Sequence, residues 1–167
     1  MVHGHSRAPR ELGRPLIAGR FLLLVACILG LAAPAVGQDK HDGNVVRLNG
    51  TDWRLHGVDF PDADQVCADG WRLGDAARAA VRQLTEGATV DCKITTKDQY
   101  SRPVASCLVN GQDLGATLIR RGLAWASLRY TWRYVIDDWM AWLNGEGLYG
   151  HRCDKPWEWR ARSGGQR

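Results

Sequence analysis

The order of short apolar runs along this chain constrains its fold more than any other feature. Runs at 44–48 and 53–58 are joined by Asn49-Gly50, a dipeptide typical of a tight β-hairpin turn. Residues 70–85 instead carry apolar side chains at the spacing of an amphipathic helix. Further strands are predicted at 89–95 and 104–109, an extended run at 123–128, and helices at 114–121 and 134–144. This order predicts an α+β domain in which helices pack on a small barrel, for which a five-stranded, partly open barrel is one solution.

The first 37 residues have the features of a signal peptide. Four arginines precede an uncharged run at 21–37, which ends in the small residues A-V-G before Gln38. A membrane helix is the alternative, but a span needs about 20 apolar residues and Pro34 interrupts this run. We therefore expect a secreted or periplasmic protein with no stable membrane association after cleavage, and a single domain over 38–167.

Loss of that segment changes the charge of the protein. The chain has 22 Lys and Arg against 18 Asp and Glu, and the segment contains four of the arginines and one of the acids, Glu11. The remainder therefore holds 18 basic and 17 acidic side chains. A nearly neutral protein does not bind nucleic acid through its overall charge, so such binding would need a local basic patch.

Four cysteines remain after the first 37 residues, an even number that suits disulfides in a small exported domain. Cys92 and Cys107 lie on strands predicted to be neighbours, so we expect them to pair. Cys67 and Cys153 are then the remaining pair. A zinc site is the alternative, but the sequence has no C-x-x-C spacing.

Common catalytic motifs do not occur in this sequence. It contains no H-E-x-x-H, no G-x-S-x-G and no phosphate-binding P-loop. Residues 145–150 match G-x-G-x-x-G, but they follow a predicted helix, which favours a helix end and a loop over a dinucleotide site. The histidines that follow the first 37 residues are widely spaced, which favours surface or structural roles: His41, His56 and His151.

Two arginines lie close in sequence to acidic residues. Arg54 precedes Asp59 and Asp62, and Arg102 follows Asp98. Surface salt bridges are the simpler interpretation, and such bridges contribute little to stability. A phosphate clamp is the alternative, because a guanidinium stays charged and its planar fork fits two phosphate oxygens.

An acidic corner follows the second predicted strand. Asp59, Asp62 and Asp64 provide carboxylate oxygens, which are the ligands that a hard cation prefers. The alternative is an Asx-rich turn that caps the next helix.

Five motifs, in order, resemble the staphylococcal nuclease (thermonuclease) family over residues 42–160. They are R-L-x-G-V-D-x-P-D-x-x-Q from Arg54, D-x-Y-S-R-P-V-A from Asp98, R-G-L-A from Arg121, G-L-Y from Gly147 and P-W-x-W-R from Pro156. The resemblance implies a five-stranded OB-type β-barrel with three packed α-helices. It also implies Ca²⁺-dependent hydrolysis of phosphodiester bonds in DNA and RNA.

The resemblance assigns roles to individual residues. Arg54 and Arg102 match the two arginines that bind the phosphate and stabilise its developing charge. Asp59 matches a metal ligand, and the next residue, Phe60, offers a backbone carbonyl to the metal. Asp62 takes the place of a glutamate that positions or deprotonates the attacking water.

Three positions depart from the family pattern. The D-G-D-T metal motif reads D-G-N-V at 42–45, so Asn44 would bind Ca²⁺ without a negative charge and with lower affinity. Asp62 is shorter than glutamate by one carbon–carbon bond, about 1.5 Å, and a catalytic group misplaced by about 1 Å can lose on the order of 100-fold in rate. Ser101 stands where the family prefers glycine.

The sequence therefore predicts an exported, metal-dependent phosphodiesterase of reduced activity, acting as a monomer on DNA or RNA. The alternative is an OB-fold binding module that has lost hydrolysis. Six tryptophans could provide a stacking surface for bases, although core and tail packing is the interpretation we favour for most of them: Trp125, Trp132, Trp139, Trp142, Trp157 and Trp159.

Overall fold

A computed structural model describes Met1 and residues 45–164 of the chain. The predicted signal peptide and Asn44 lie outside this range, so both stay predictions. Residues 45–164 belong to one compact unit, Asp39–Arg167. No helix among the described residues has the length and apolar character needed to cross a membrane.

Short strands and helices alternate along the described residues. The strands are β1 (Val46–Leu48), β2 (Thr51–Leu55), β3 (Val58–Asp59), β4 (Val90–Lys97), β5 (Pro103–Val109), β6 (Gln112–Asp113) and β7 (Trp125–Ala126). The α-helices are α1 (Leu73–Thr85), α2 (Leu114–Arg120), α3 (Val135–Asn144) and α4 (Pro156–Gly164). A 3₁₀ turn spans Gly147–Tyr149.

The main sheet has five strands and mixed direction. Its order is β1-β2-β5-β4, with β6 also paired to β5, and β3 and β7 form a separate two-stranded sheet. The β2–β5 pair is parallel, whereas the other pairs are antiparallel. The α+β class is confirmed and the arrangement agrees with an OB-type fold, although the strands described between residues 45 and 164 do not close into a barrel.

The first hairpin forms where its turn residues predict it. Asn49 and Gly50 both adopt positive φ, at 49° and 78°. A two-residue turn with φ positive at both positions matches the right-handed twist of paired strands, and Asn-Gly tolerates it best. Leu48 and Thr51 are therefore directly opposed, and Val46 pairs with Trp53.

The core lies between the main sheet and helices α1 and α2. The helices contribute apolar residues that are almost fully buried, among them Leu73, Ala77, Leu118 and Ile119. On β5 the buried residues alternate as Ala105, Cys107 and Val109, which is the pattern of a strand with one face in the core. Both sheets and both helices thus share one apolar cluster.

The fourth helix lies in the tail, where the sequence shows no apolar periodicity. Pro156 occupies the first helical position, which suits proline because its missing N–H would have no partner there. Glu158 accepts a hydrogen bond from the backbone N–H of Lys155 (3.2 Å), one half of a capping box. Local capping, rather than an amphipathic pattern, therefore accounts for α4.

Candidate active site

The turn between β4 and β5 is organised by the carboxylate of Asp98. Its Oδ1 accepts hydrogen bonds from the backbone N–H groups of Tyr100 and Arg102, both at 2.9 Å. The backbone N–H of Asp98 in turn donates to the carbonyl of Arg102 at 2.9 Å. This Asx-type turn fixes residues 98–102 at the end of the hairpin.

The same carboxylate joins the two arginines that the sequence singles out. Asp98 Oδ2 lies 2.7 Å from Nε of Arg102 and 3.6 Å from Nη1 of Arg54. Parallel pairing of β2 with β5 sets Arg54 opposite Val104, two residues beyond Arg102. We call Arg54 and Arg102 the arginine pair. Together with Asp98 it carries one net positive charge, which provides a local basic site.

The ion pairs within this group are partly shielded from solvent. The side chain of Asp98 is only 6% exposed, and those of Arg54 and Arg102 are 25% and 20% exposed. Burial by itself would raise the pKa of the Asp98 carboxyl, but the hydrogen bonds from Arg102 and Tyr100 hold that pKa below its ordinary value. Asp98 is therefore ionised and keeps both guanidinium groups in place at neutral pH.

The turn also contains a strained residue. Ser101 adopts φ 63°, a left-handed conformation that favours glycine. The guanidinium of Arg102 lies 4.9 Å from the centre of the Tyr100 ring, and Tyr100 itself is exposed. The position where the family prefers glycine is thus the position where this backbone requires a positive φ.

Asp59 and Phe60 lie at the end of β3. Asp59 pairs with Trp125 of β7 and is partly exposed, whereas the Phe60 side chain is buried in the core. The Asp59 carboxylate and the Phe60 carbonyl are oxygen donors of the kind that a hard cation takes. The described part of the chain contains no group of three or more His, Cys, Asp or Glu side chains able to hold a metal. Asn44, the third ligand that the resemblance implies, lies outside that part.

Asp62 is held in a tight turn of its own, the Asp62 turn (residues 62–65). The carbonyl of Asp62 accepts a hydrogen bond from the N–H of Gln65 (3.1 Å), and the Asp62 N–H donates to Gln65 Oε1 (3.3 Å). Both residues are buried. The carboxylate of Asp62 contacts a residue that the sequence analysis did not connect with it: Arg160 of α4 places Nη1 at 3.1 Å from Oδ1 and 3.3 Å from Oδ2.

Helix α1 supports the back of this turn. The N–H of Gly74 donates to the carbonyl of Gln65 (3.1 Å), and Arg78 donates to the carbonyl of Ala63 (2.7 Å). A Cβ at Gly74 would collide with the carbonyl oxygens of Asp62 and Ala63. Glycine at this position therefore allows the helix to approach the turn closely.

The C-terminal segment (residues 147–162) closes over the other side of the turn. The Cys67–Cys153 disulfide joins the two, with a Cα–Cα distance of 4.3 Å, and Gln65 Nε2 donates to the carbonyl of Asp154 at 2.6 Å. His151 stacks on Trp71 and its Nδ1 lies 2.7 Å from Asp69 Oδ2. This structural role for His151 agrees with the interpretation from the sequence.

The second disulfide stiffens the hairpin that carries Asp98. Cys92 and Cys107 are directly opposed in the β4–β5 register and are bonded to each other. The two pairs in the structure are thus the two expected from the sequence. A register shift between Ile94 and Thr96 then bends β4 shortly before the turn.

The family model that matches this chain is described as staphylococcal nuclease homologue, and it covers residues 52–139. The chain belongs to this family. Arg54, Asp59, Asp62 and Arg102 all lie inside the matched range, as does Asp98. Arg160, by contrast, lies beyond it.

Two relatives illustrate the similarity of this chain to known proteins. The chain is 29% identical over 115 residues to the staphylococcal-like nuclease CAN1 of Arabidopsis thaliana, covering 67% of this chain and 34% of that protein. It is 32% identical over 126 residues to the succinoglycan biosynthesis protein ExoI of Rhizobium meliloti (strain 1021), covering 71% of this chain and 64% of that protein. This chain therefore spans about a third of the plant relative.

The tryptophans of this family member are more exposed than the sequence suggested. Trp125 is buried, but core packing is wrong for four of the six, which are exposed by 46–74%: Trp132, Trp139, Trp142 and Trp157. Helical spacing identifies an apolar face but does not say whether the rest of the protein covers it. The α3 face bearing Ile136, Trp139, Met140 and Leu143 is open to solvent.

Two contacts in the site could not be inferred from the sequence: that of Asp98 with Arg54 and that of Arg160 with Asp62. The salt bridge between Asp98 and Arg102 was expected from their spacing of four positions, but nothing in the sequence linked Asp98 to Arg54. Arg160 ends the P-W-x-W-R motif, and Pro156 and Glu158 indicate the start of a helix there, but neither signal connects Arg160 with Asp62.

Proposed function

We propose that this protein is an exported, metal-dependent nuclease that hydrolyses phosphodiester bonds in DNA or RNA as a monomer. The observation that carries the proposal is the convergence of Arg54 and Arg102 on Asp98. A single buried carboxylate orients two guanidinium groups that come from different strands. Such fixed cations stabilise charge that develops on a transferring phosphoryl group without reorganising during the reaction.

Each residue of the site has a defined task in this proposal. The arginine pair binds the scissile phosphate and neutralises the charge that grows on its oxygens. Asp62 accepts the proton of the attacking water or orients it. The Asp59 carboxylate, the Phe60 carbonyl and Asn44 would hold Ca²⁺, which when bound polarises a phosphoryl oxygen. Because Asn44 is uncharged and Asp62 is short, we expect weak metal binding and slow turnover.

The test is hydrolysis of heat-denatured DNA and of RNA by the oxidised full chain, expressed for export and purified after secretion. Reactions would contain excess Ca²⁺, Mn²⁺, Mg²⁺ or a chelator. The mass of the recovered protein reports cleavage before Gln38. We expect metal-dependent hydrolysis, abolished by chelator.

Two arginine variants distinguish a specific effect of the arginine pair from the effect of losing any positive charge. Arg102→Ala removes one member of the arginine pair, and we expect it to lower kcat/KM by about 100-fold or more. Arg72→Ala is the matched control, since it removes the same charge from an exposed ion pair with Asp75. No hydrolysis with any metal by folded protein would contradict the proposal, and nucleic-acid binding without hydrolysis would identify a binding module instead.

A further inference from the structure

Arg160 and Asp62 form an ion pair between residues that are 98 positions apart in sequence. One guanidinium nitrogen reaches both carboxylate oxygens, at 3.1 and 3.3 Å. The Asp62 side chain is only 9% exposed, whereas that of Arg160 is 44% exposed. The guanidinium therefore approaches a nearly buried carboxylate from the solvent side.

Both partners belong to one rigid framework. Gln65 bonds the backbone of Asp62 through its Oε1 and the carbonyl of Asp154 through its Nε2. The Cys67–Cys153 disulfide joins the same two segments. Pro156, at the start of α4, is fully buried, so the helix that carries Arg160 is anchored next to these contacts. The position of the guanidinium is thus fixed relative to the Asp62 turn.

A nearly buried carboxylate is costly unless it is paired and hydrogen-bonded, and a pair with fixed geometry also restricts its rotamer. Asp62 needs this restriction more than a glutamate would, because its shorter side chain has one rotatable bond fewer with which to correct the position of its carboxylate. Productive geometry in an active site tolerates errors of about 0.5 Å. A contact of Arg160 with both carboxylate oxygens of Asp62 restricts the position of that carboxylate.

We propose that Arg160 is a positioning residue that fixes the carboxylate of Asp62 for its action on the attacking water. The inference rests on the proposed function and adds to it a residue outside the range matched by the family model. Arg160 acts through Asp62, so its loss affects the chemical step rather than the binding of substrate.

The experiment compares Arg160→Gln, Arg160→Lys and the control Arg162→Gln in the oxidised full chain. Arg162 is on the same helix and pairs with Asp154, so its variant removes the same charge and an ion pair of α4 without touching Asp62. For Arg160→Gln we expect kcat on denatured DNA to fall about 10- to 100-fold, with KM changed less than about twofold. Arg160→Lys should recover part of kcat, and Arg162→Gln should match the unsubstituted protein.

A double-mutant cycle with Asp62→Asn shows whether Arg160 acts through Asp62. We expect Arg160→Gln to cause no further loss of kcat in the Asp62→Asn background. An equal fold-loss in both backgrounds, or an unchanged kcat in folded Arg160→Gln, would overturn the inference. A purely structural role would instead lower the urea midpoint and leave kcat unaffected in protein shown to be folded.

The same variants separate this inference from the proposed function. Hydrolysis by the unsubstituted protein together with an unaffected Arg160→Gln would refute only the positioning role. Absence of hydrolysis in every protein would refute the nuclease, and the positioning role in hydrolysis with it. The urea midpoints of the cycle would then still report, through non-additive shifts, whether Arg160 fixes Asp62 in the folded state.

Discussion

Gly74 of α1 lies so close to Asp62 that no side chain fits between the helix and the turn. The Asp62 turn is therefore held between α1 on one side and the C-terminal segment on the other. The position of the Asp62 carboxylate depends on both contacts, and each can be changed separately.

Gly74→Ala tests the contact with α1. The added methyl group would meet backbone oxygens that cannot rotate away, so we expect a loss of about 1–3 kcal/mol in unfolding free energy. We also expect kcat to fall, because relief of the clash displaces Asp62. Urea unfolding and denatured-DNA hydrolysis measure the two effects. Unchanged stability and rate would show that helix and turn separate without cost.

The two disulfides should differ in their effect on activity. Replacing Cys67 and Cys153 by serine removes the bridge that positions the C-terminal segment, whereas replacing Cys92 and Cys107 removes a bridge within one hairpin. Each double variant should lose about 2–5 kcal/mol of stability. We expect the first to lower kcat more than the second in protein that is still folded, measured at a temperature below both unfolding transitions. Equal kcat values for the two variants would contradict this assignment.

Asp98→Asn should make stability less sensitive to acid. The folded-state pKa of Asp98 is lowered, so its charged form stabilises the fold above the ordinary carboxyl pKa of about 4, and this contribution is lost as pH falls through the lower folded value. The variant should therefore have an unfolding free energy lower by about 1–2 kcal/mol at pH 7, measured by urea unfolding, and the difference should shrink toward pH 2.

Asp91→Asn is the charge control, since Asp91 is an exposed residue of β4, the strand that leads into the turn. It removes the same charge from the surface, and its urea midpoint at pH 7 should match that of the unsubstituted protein. If the unfolding free energies of Asp98→Asn and of the unsubstituted protein differed by the same amount at every pH, the charge of Asp98 would not be its contribution to stability.

Ser101→Gly should stabilise the turn at the candidate active site. Glycine adopts the left-handed φ of this position without steric cost, and we expect a gain of about 0.5–1 kcal/mol. Ser106→Gly, in the middle of β5, provides the opposite case and should destabilise, because extended backbone does not require glycine there. Thermal unfolding of both variants measures whether each substitution raises or lowers stability. A loss of stability in Ser101→Gly would mean that the serine side chain outweighs the backbone strain.

Local sequence signals predicted much of the fold. Asn49-Gly50 located the first hairpin, and the strand assignments around Cys92 and Cys107 were close enough to pair them. Helices α1, α2 and α3 were each found to within three residues of their observed ends. These features depend on turn chemistry and periodicity, which are properties of short stretches of chain.

The site depended on contacts that short stretches do not encode. Arg54 shortly precedes Asp59 and Asp62 in the sequence, yet parallel pairing of β2 with β5 brings it to Asp98. The α4 helix has no apolar stripe, and its residue Arg160 meets Asp62 only through long-range packing. The burial of most tryptophans was mispredicted for the same reason. Helical periodicity shows which residues share one face of a helix, but it does not show whether another element covers that face.

The Cys67–Cys153 bridge has a consequence for the order in which the protein is assembled. Translation proceeds from the amino terminus, so Arg54, Asp98 and Arg102 exist as a chain segment well before Cys153 and Arg160 are made. A growing or truncated chain that ends before Cys153 contains every residue of the arginine pair and its carboxylate, but lacks both the disulfide and the guanidinium that hold Asp62. The helix that completes the site is therefore synthesised well after the arginine pair.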